Sequence, residues 1–235
     1  MKYISCSLLA LCLFLSSCAG LKNVLPIPTD FESALALKEV LNSSTFKALK
    51  TLNSMKNGEN GLPEELQPIL AALNTVGYGD KVEEITKSIQ NATTIAAAES
   101  EIIMKDAIKQ LKFKDAAKIV VTGGDAATTV LKQAMYKSVL NRYSERIDLE
   151  LEKSDVNKYW PIAAGAANIF AKDKVDKKAS DFLAKRAVDG LFLSVGAKEK
   201  DTRESYKKLG NKVVTKVFDY YKDKKLNSKG KIVKS

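Results

Sequence analysis

From Asp30 to Tyr221 apolar residues recur at spacings of three and four, the period of an amphipathic helix. A first helix carries Phe31, Leu35, Lys38 and Leu41, with a second limb at Phe46, Leu49, Leu52 and Met55. After a polar loop at residues 57–61, Pro63, Glu64 and Glu65 open a helix bearing Leu66, Ile69, Leu70 and Leu73. Gly77-Tyr78-Gly79 ends it, and Asp80 is the expected cap of the next, which carries Val82, Ile85, Ile89, Ala92 and Ala96. Further helical phases run through residues 102–111 and 113–121, and a long one begins at Asp125 and includes Leu131, Val139, Tyr143 and Ile147. Ser154 is the expected cap of a segment interrupted by Pro161 and Gly165. The last two helices carry Phe182, Leu183, Leu191 and Val195, then Tyr206, Leu209, Val213, Val217, Phe218 and Tyr221. Only residues 118–122 and 192–195 alternate as strands would, and both lie inside helical phase. The pattern predicts an all-α fold: one compact domain of about eight to nine helices over residues 30–222. No repeat of 30–50 residues is apparent.

The N-terminus departs from this pattern. Lys2 supplies a positive charge, and residues 4–15 form an apolar run. Twelve residues span about 18 Å as a helix, against the roughly 30 Å of a bilayer core, so a secretory signal fits better than a membrane span. The run ends at Leu15-Ser16-Ser17-Cys18. This resembles the bacterial lipobox, in which an apolar residue and two small ones precede a cysteine that is acylated and becomes the first residue. The resemblance implies a signal peptide at residues 1–17 and a mature chain held by diacylglycerol on Cys18 and an amide-linked fatty acid such as palmitate. Two or three acyl chains anchor stably where one does not. Residues 18–29, with Pro26 and Pro28, form the linker. Ala19, where an aspartate would retain some lipoproteins at the inner membrane, favours an outer-membrane protein facing the periplasm.

Charge and composition narrow the chemistry. Cys6 and Cys12 leave with the signal and Cys18 carries lipid, so the mature chain has no free thiol. There is no histidine, which removes the commonest general base and transition-metal ligand. No calcium-loop motif is present, and no metal or other cofactor is expected. The net charge is +10, of which Lys224, Lys225, Lys229, Lys231 and Lys234 contribute half within the last twelve residues. The tail as a whole, residues 223–235, lacks helical periodicity and is expected to be a disordered basic tail that touches anionic lipid. For an exported chain, a membrane rather than nucleic acid is the expected partner of that charge.

Three segments invite a site. TGGDAATT, residues 122–129, places two glycines before a helix, as a phosphate loop would. Yet the P-loop lysine is missing and no strand precedes it, so Gly123 or Gly124 as a left-handed cap and Asp125 as an N-cap is the simpler reading. RAVDGLF, residues 186–192, sets Asp189 beside Gly190 on an apolar helix, with Arg186 or Arg203 as partner and a close helix crossing as the reason for the glycine. NKYWP, residues 157–161, gathers Tyr159 and Trp160, which suit either a ligand pocket or a core kink. A carboxylate pair drawn from Asp106, Asp115, Glu199 and the remaining acids is the hydrolytic alternative.

MKDAIKQLKFKDA (residues 104–116), TGGDAATT (122–129) and DFLAKRAVDGLF (181–192), continuing to Glu199, Arg203 and V-x-x-V-F at Val214, Val217 and Phe218, resemble in order a bacterial family known only as domain of unknown function 4197. Val130-Leu131, where aromatics are usual, and the lysine-rich tail depart from it. The resemblance implies an exported, often lipid-anchored helical protein and no known activity. The expected function is therefore a lipid-anchored, non-enzymatic binding or structural module. The alternative is a carrier or sensor of an apolar or anionic ligand held between helices near Trp160, Tyr159, Asp189 and Arg203.

Overall fold

A computed structural model describes residues 26–55, 66–170 and 174–235, with side chains from 53–55 and Phe170 outside the description. The signal sequence, Cys18, the loop at 57–61 and Pro63 also lie outside it. The described chain is all-α, with eight helices and one short hairpin: α1 (Asp30–Met55), α2 (Gln67–Thr75), α3 (Val82–Gln110), α4 (Ala116–Thr122), α5 (Ala126–Leu151), α6 (Val156–Phe170), α7 (Ala179–Glu204), α8 (Lys212–Tyr221), β1 (Lys224–Leu226) and β2 (Ile232–Lys234).

Four long helices form the body. α5 packs between α3 and α7, and α1 packs against both α3 and α7. Polar rungs run antiparallel along both sides of α5. Arg142 pairs with Asp106 and Arg146 with Glu99 on α3. Ser144 bonds Asp181, and Asp148 bonds Ser180, on α7. Between the rungs the interior is aliphatic, with Ile89, Met104, Ile108, Leu131, Ile147, Leu151 and Leu183 fully buried. α2 lies on α6, and α4 and α8 close one end against α1.

Part of the predicted stripe on α1 is turned outward, although Leu41 is buried and Leu49 and Leu52 pack on the core. Phe31 is 71% exposed and Phe46 60%, while Ser33, Ala36, Leu37, Val40, Leu41, Ser44, Thr45 and Ala48 are buried. α1 touches α3, α4, α7 and α8 at once, and small side chains let those helices approach. The serines tolerate burial because their hydroxyls return to the helix backbone: Ser33 Oγ to Thr29 O at 3.0 Å and Ser44 Oγ to Val40 O at 2.6 Å. The start of α1 is a capping box. Glu32 N–H donates to Thr29 Oγ1 at 3.1 Å, and Thr29 N–H to Glu32 Oε2 at 2.8 Å, so Thr29 rather than Asp30 caps it.

Other boundaries shift too. The two segments expected over residues 80–111 are one helix, and Asp80 sits in a 3-10 turn before it without capping it. Pro161 and Gly165 lie within α6, which continues through both. The last predicted helix is split: Gly210 turns left-handed (φ 64°) after a 3-10 turn at Tyr206–Leu209, and Asn211 caps α8 by accepting from Val213 and Val214 N–H.

The C-terminal lysines belong to an ordered hairpin, not a disordered tail. Lys224 pairs opposite Lys234, Lys225 opposite Val233 and Leu226 opposite Ile232. Asn227 Oδ1 ties its turn by accepting from Lys229 N–H (3.0 Å) and Lys231 N–H (2.9 Å), while Gly230 takes φ 67°. Ile232 packs on the core, which gives the hairpin an apolar reason to stay.

Candidate functional site

The junction of α4 and α5 is built by α7. Gly123 (φ 73°) and Gly124 (φ 56°) both take the left-handed region, which breaks the chain between two helices. Asp125 occupies the N-cap position of α5, but its side chain makes no capping bond. Glu199 supplies the cap instead. Its carboxylate accepts from Ala127 N–H (3.1 Å), Thr128 N–H (2.7 Å) and Thr128 Oγ1 (2.6 Å). Arg203, one turn further along α7, donates through Nε to Glu199 at 2.7 Å and through a terminal nitrogen to Val120 O at 3.2 Å, near the end of α4. An anion therefore meets the positive end of α5 and a cation the negative end of α4. Glu199 is 0% exposed and Arg203 8%. Gly196 makes the approach possible, since a Cβ there would stand 3.3 Å from Asp125 Cβ and 3.4 Å from its Oδ2.

Above this ion pair lies an open cleft of about 400 Å³. Val120, Val121, Gly123 and Gly124 form one wall, Lys200, Arg203, Glu204 and Tyr206 the floor, and Phe218, Tyr221, Lys222 and Lys224 the far wall. Tyr206 stacks on Phe218 at 5.2 Å, and the Arg203 guanidinium stands 5.6 Å from the Phe218 ring. Tyr206 donates to Asp219 Oδ1 at 2.5 Å. Burial, helped by that carboxylate, pushes the Tyr206 hydroxyl up to about 12. The same bond, with Lys207, holds Asp219 below the usual carboxylate range. Lys224 lies over Tyr220, 2.9 Å from its centre. Lys200 reaches Asp125 only at 4.0 Å. Among the described residues neither Lys222 nor Lys224 has a carboxylate within ion-pair distance. The amide of Gly124, which lines the cleft, and that of Asp125 next to it donate to no group among the described residues. The cleft thus offers cations and the Gly124 amide beside aromatic walls, with the Glu204 carboxylate in its floor.

The other expected contacts lie elsewhere. Trp160 is core: its Nε1–H donates to Asp176 O at 2.9 Å and its ring meets Phe182 at 5.4 Å. Tyr159 is buried with its ring 5.0 Å from Tyr78. Asp189 is an outward carboxylate paired with Lys132 (3.3 Å) and Lys185 (3.0 Å). Partial burial pushes its carboxyl up, but bonds from Lys185, Tyr136 and Lys132 together hold it low. Gly190 has open space where a Cβ would go, so the close crossing expected there is at Gly196. Of the four expected contacts, only Arg203 borders the cleft, where it meets Gly123 and Gly124. The acids weighed for hydrolysis are spread out: Asp106 pairs with Arg142, Asp115 with Lys118 and Glu199 with Arg203. Lys200, Tyr206 and Lys222 escaped the sequence reading. The one local hint was Glu199 and Arg203 at i and i+4 on a helix face otherwise apolar.

A family described as "Protein of unknown function (DUF4197)" matches residues 28–219, which include α1 to α7 and all but the last two residues of α8. The chain belongs to this family. No curated protein and no solved structure matches it. The DUF4197 segment contains the whole Glu199–Arg203 junction and most of the cleft, while Tyr221, Lys222 and the hairpin lie beyond it.

Proposed function

We propose that this protein is a non-enzymatic binding module, held to an envelope membrane by lipid on Cys18, that takes an anionic ligand in the cleft between α4, α7 and α8. The observation that carries the binding reading is the set of lysines at the cleft, of which Lys222 and Lys224 have no carboxylate within ion-pair distance among the described residues, beside the unbonded Gly124 amide. Cations that face open space gain most from an anion that brings its own charge into a partly desolvated site. The tether rests on the L-S-S-C sequence, and the periplasmic face of the outer membrane is its expected address.

Two measurements test this reading. Amide NMR during titration with inorganic phosphate should shift Gly124, Asp125 and Lys222 ahead of the rest of the chain; uniform shifts over all lysine-rich surfaces would sink it. For the tether, Cys18→Ala should release the protein from the membrane fraction with a loss of acyl mass.

A second reading, a structural module that docks a protein, is favoured by one observation. Phe31, Leu35 and Phe46 lie exposed along a single face of α1. Native mass spectrometry of protein drawn gently from its own envelope separates the two, because a retained small molecule supports the cleft and a stoichiometric protein partner supports the face.

A further inference from the structure

The cleft adjoins the point where the tether enters the domain. Asp30 Oδ1 accepts from Ala117 N–H of α4 at 3.3 Å, and Glu32 pairs with Lys216 of α8 at 2.5 Å. α4 and α8 are therefore both walls of the cleft and the seat of the first turn of α1. Cys18 precedes Asp30 by twelve residues, a reach of about 40 Å at most. The hairpin then sets Lys224 directly opposite Lys234, an arrangement that costs stability when no anion stands nearby. Lys222 and Lys224 at the cleft mouth have no carboxylate within ion-pair distance among the described residues, although Asp219 acts on Lys222 from further off.

We infer that the cleft receives the phosphate headgroup of an anionic lipid in the same membrane that holds the tether. This inference rests on the anion-binding reading and on the lipid tether. The chemistry fits a phosphodiester on an apolar body. Lys222, Lys224 and the Gly124 amide meet the phosphate oxygens, and the Phe218 and Tyr221 rings meet the glycerol and the first carbons. Binding there fixes which end of the domain faces the bilayer. Without it, a lipid on a linker leaves the orientation free.

The test uses the mature lipidated chain in nanodiscs of phosphatidylcholine, alone or mixed equally with phosphatidylglycerol, read by hydrogen exchange. Protection should appear at Gly124 and residues 220–224 in the anionic discs only. Lys222→Ala combined with Lys224→Ala should abolish it, while Lys225→Ala combined with Lys229→Ala, on the exposed part of the hairpin, should leave it in place. In flotation of the unlipidated Cys18→Ala chain with anionic vesicles, each cleft lysine should account for about a fivefold loss of binding. Equal protection in both kinds of disc overturns the inference. So does equal loss in the two double variants, which would mean diffuse surface charge. Binding of soluble glycerol 3-phosphate in the cleft without protection in anionic discs also overturns it, yet leaves the anion-binding reading intact. If neither phosphate nor anionic discs perturb the cleft, both readings fall.

Discussion

Two aromatic regions of this molecule look alike in composition and differ in their polar surroundings. Around Trp160 the protein pairs its own polar groups. The indole N–H goes to Asp176 O, and Asn168 exchanges two bonds with Val175, at 2.9 and 2.7 Å. Around Phe218 and Tyr221, by contrast, Lys222 and Lys224 stand beside the rings with no carboxylate within ion-pair distance among the described residues. Aromatic clustering marks a core where the protein satisfies its own donors. It marks a contact surface where donors are left for something else.

The comparison can be broken hardest at the ion pair beneath the cleft. Glu199→Ala leaves Arg203 and three donors unpaired in a buried place, and should cost about 3–5 kcal/mol in urea denaturation. A loss below about 1 kcal/mol would mean that the junction of α4 and α5 does not depend on α7. Trp160→Ala removes a core ring and should cost a similar amount, about 3–5 kcal/mol, without altering phosphate binding. If it did alter that binding, the two regions would not be separate.

Alkaline unfolding sharpens the contrast at a third tyrosine. Burial pushes Tyr143 up to about 12 from an ordinary 10.0, against a lowering by its bond to Ser100. The folded state therefore favours the neutral phenol. Its contribution is whole below pH 10 and lost as the pH rises towards 12, by an amount on the order of 2–3 kcal/mol. Tyr206 adds a loss of the same sign over the same range. Thermal melts between pH 9 and 12 should show a shallower fall for Tyr143→Phe than for the parent chain; parallel curves would refute the assignment.

Smaller effects follow at the rim. Gly124→Ala forces a side chain into φ 56° and should cost about 1–2 kcal/mol, although there is space for the methyl group. Asp189→Asn breaks two exposed ion pairs and should move stability by less than about 1 kcal/mol. Lys222→Ala should change it by no more than about 0.5 kcal/mol while weakening phosphate binding. That separation of stability from binding is what the cleft predicts and the Trp160 region does not.

Much of the fold was legible because its signals are local. Ile69, Leu70 and Leu73 on α2, with Leu66 just before it, and Leu131, Val139, Tyr143 and Ile147 on α5 fall on one helical face each, and all are buried. Other local signals went unused. Thr29-x-x-Glu32 is a capping box, Gly210-Asn211 is a stop followed by a cap, and Asn227 to Gly230 is a turn between Lys225-Leu226 and Ile232-Val233. The candidate site was only half visible. Gly123 and Gly124 stand out in the chain, but the residue that caps the next helix lies more than seventy positions away.

The sequence by itself determined the all-helical class, most helix boundaries and the glycine break between α4 and α5, because these depend on periodicity and on backbone freedom within a few residues. Only the tertiary structure decided which face of α1 is buried, that Glu199 displaces Asp125 as a cap, and which charges remain open to solvent. Each of those outcomes is a competition between groups far apart in the chain, and its winner is set by the distance at which helices pack.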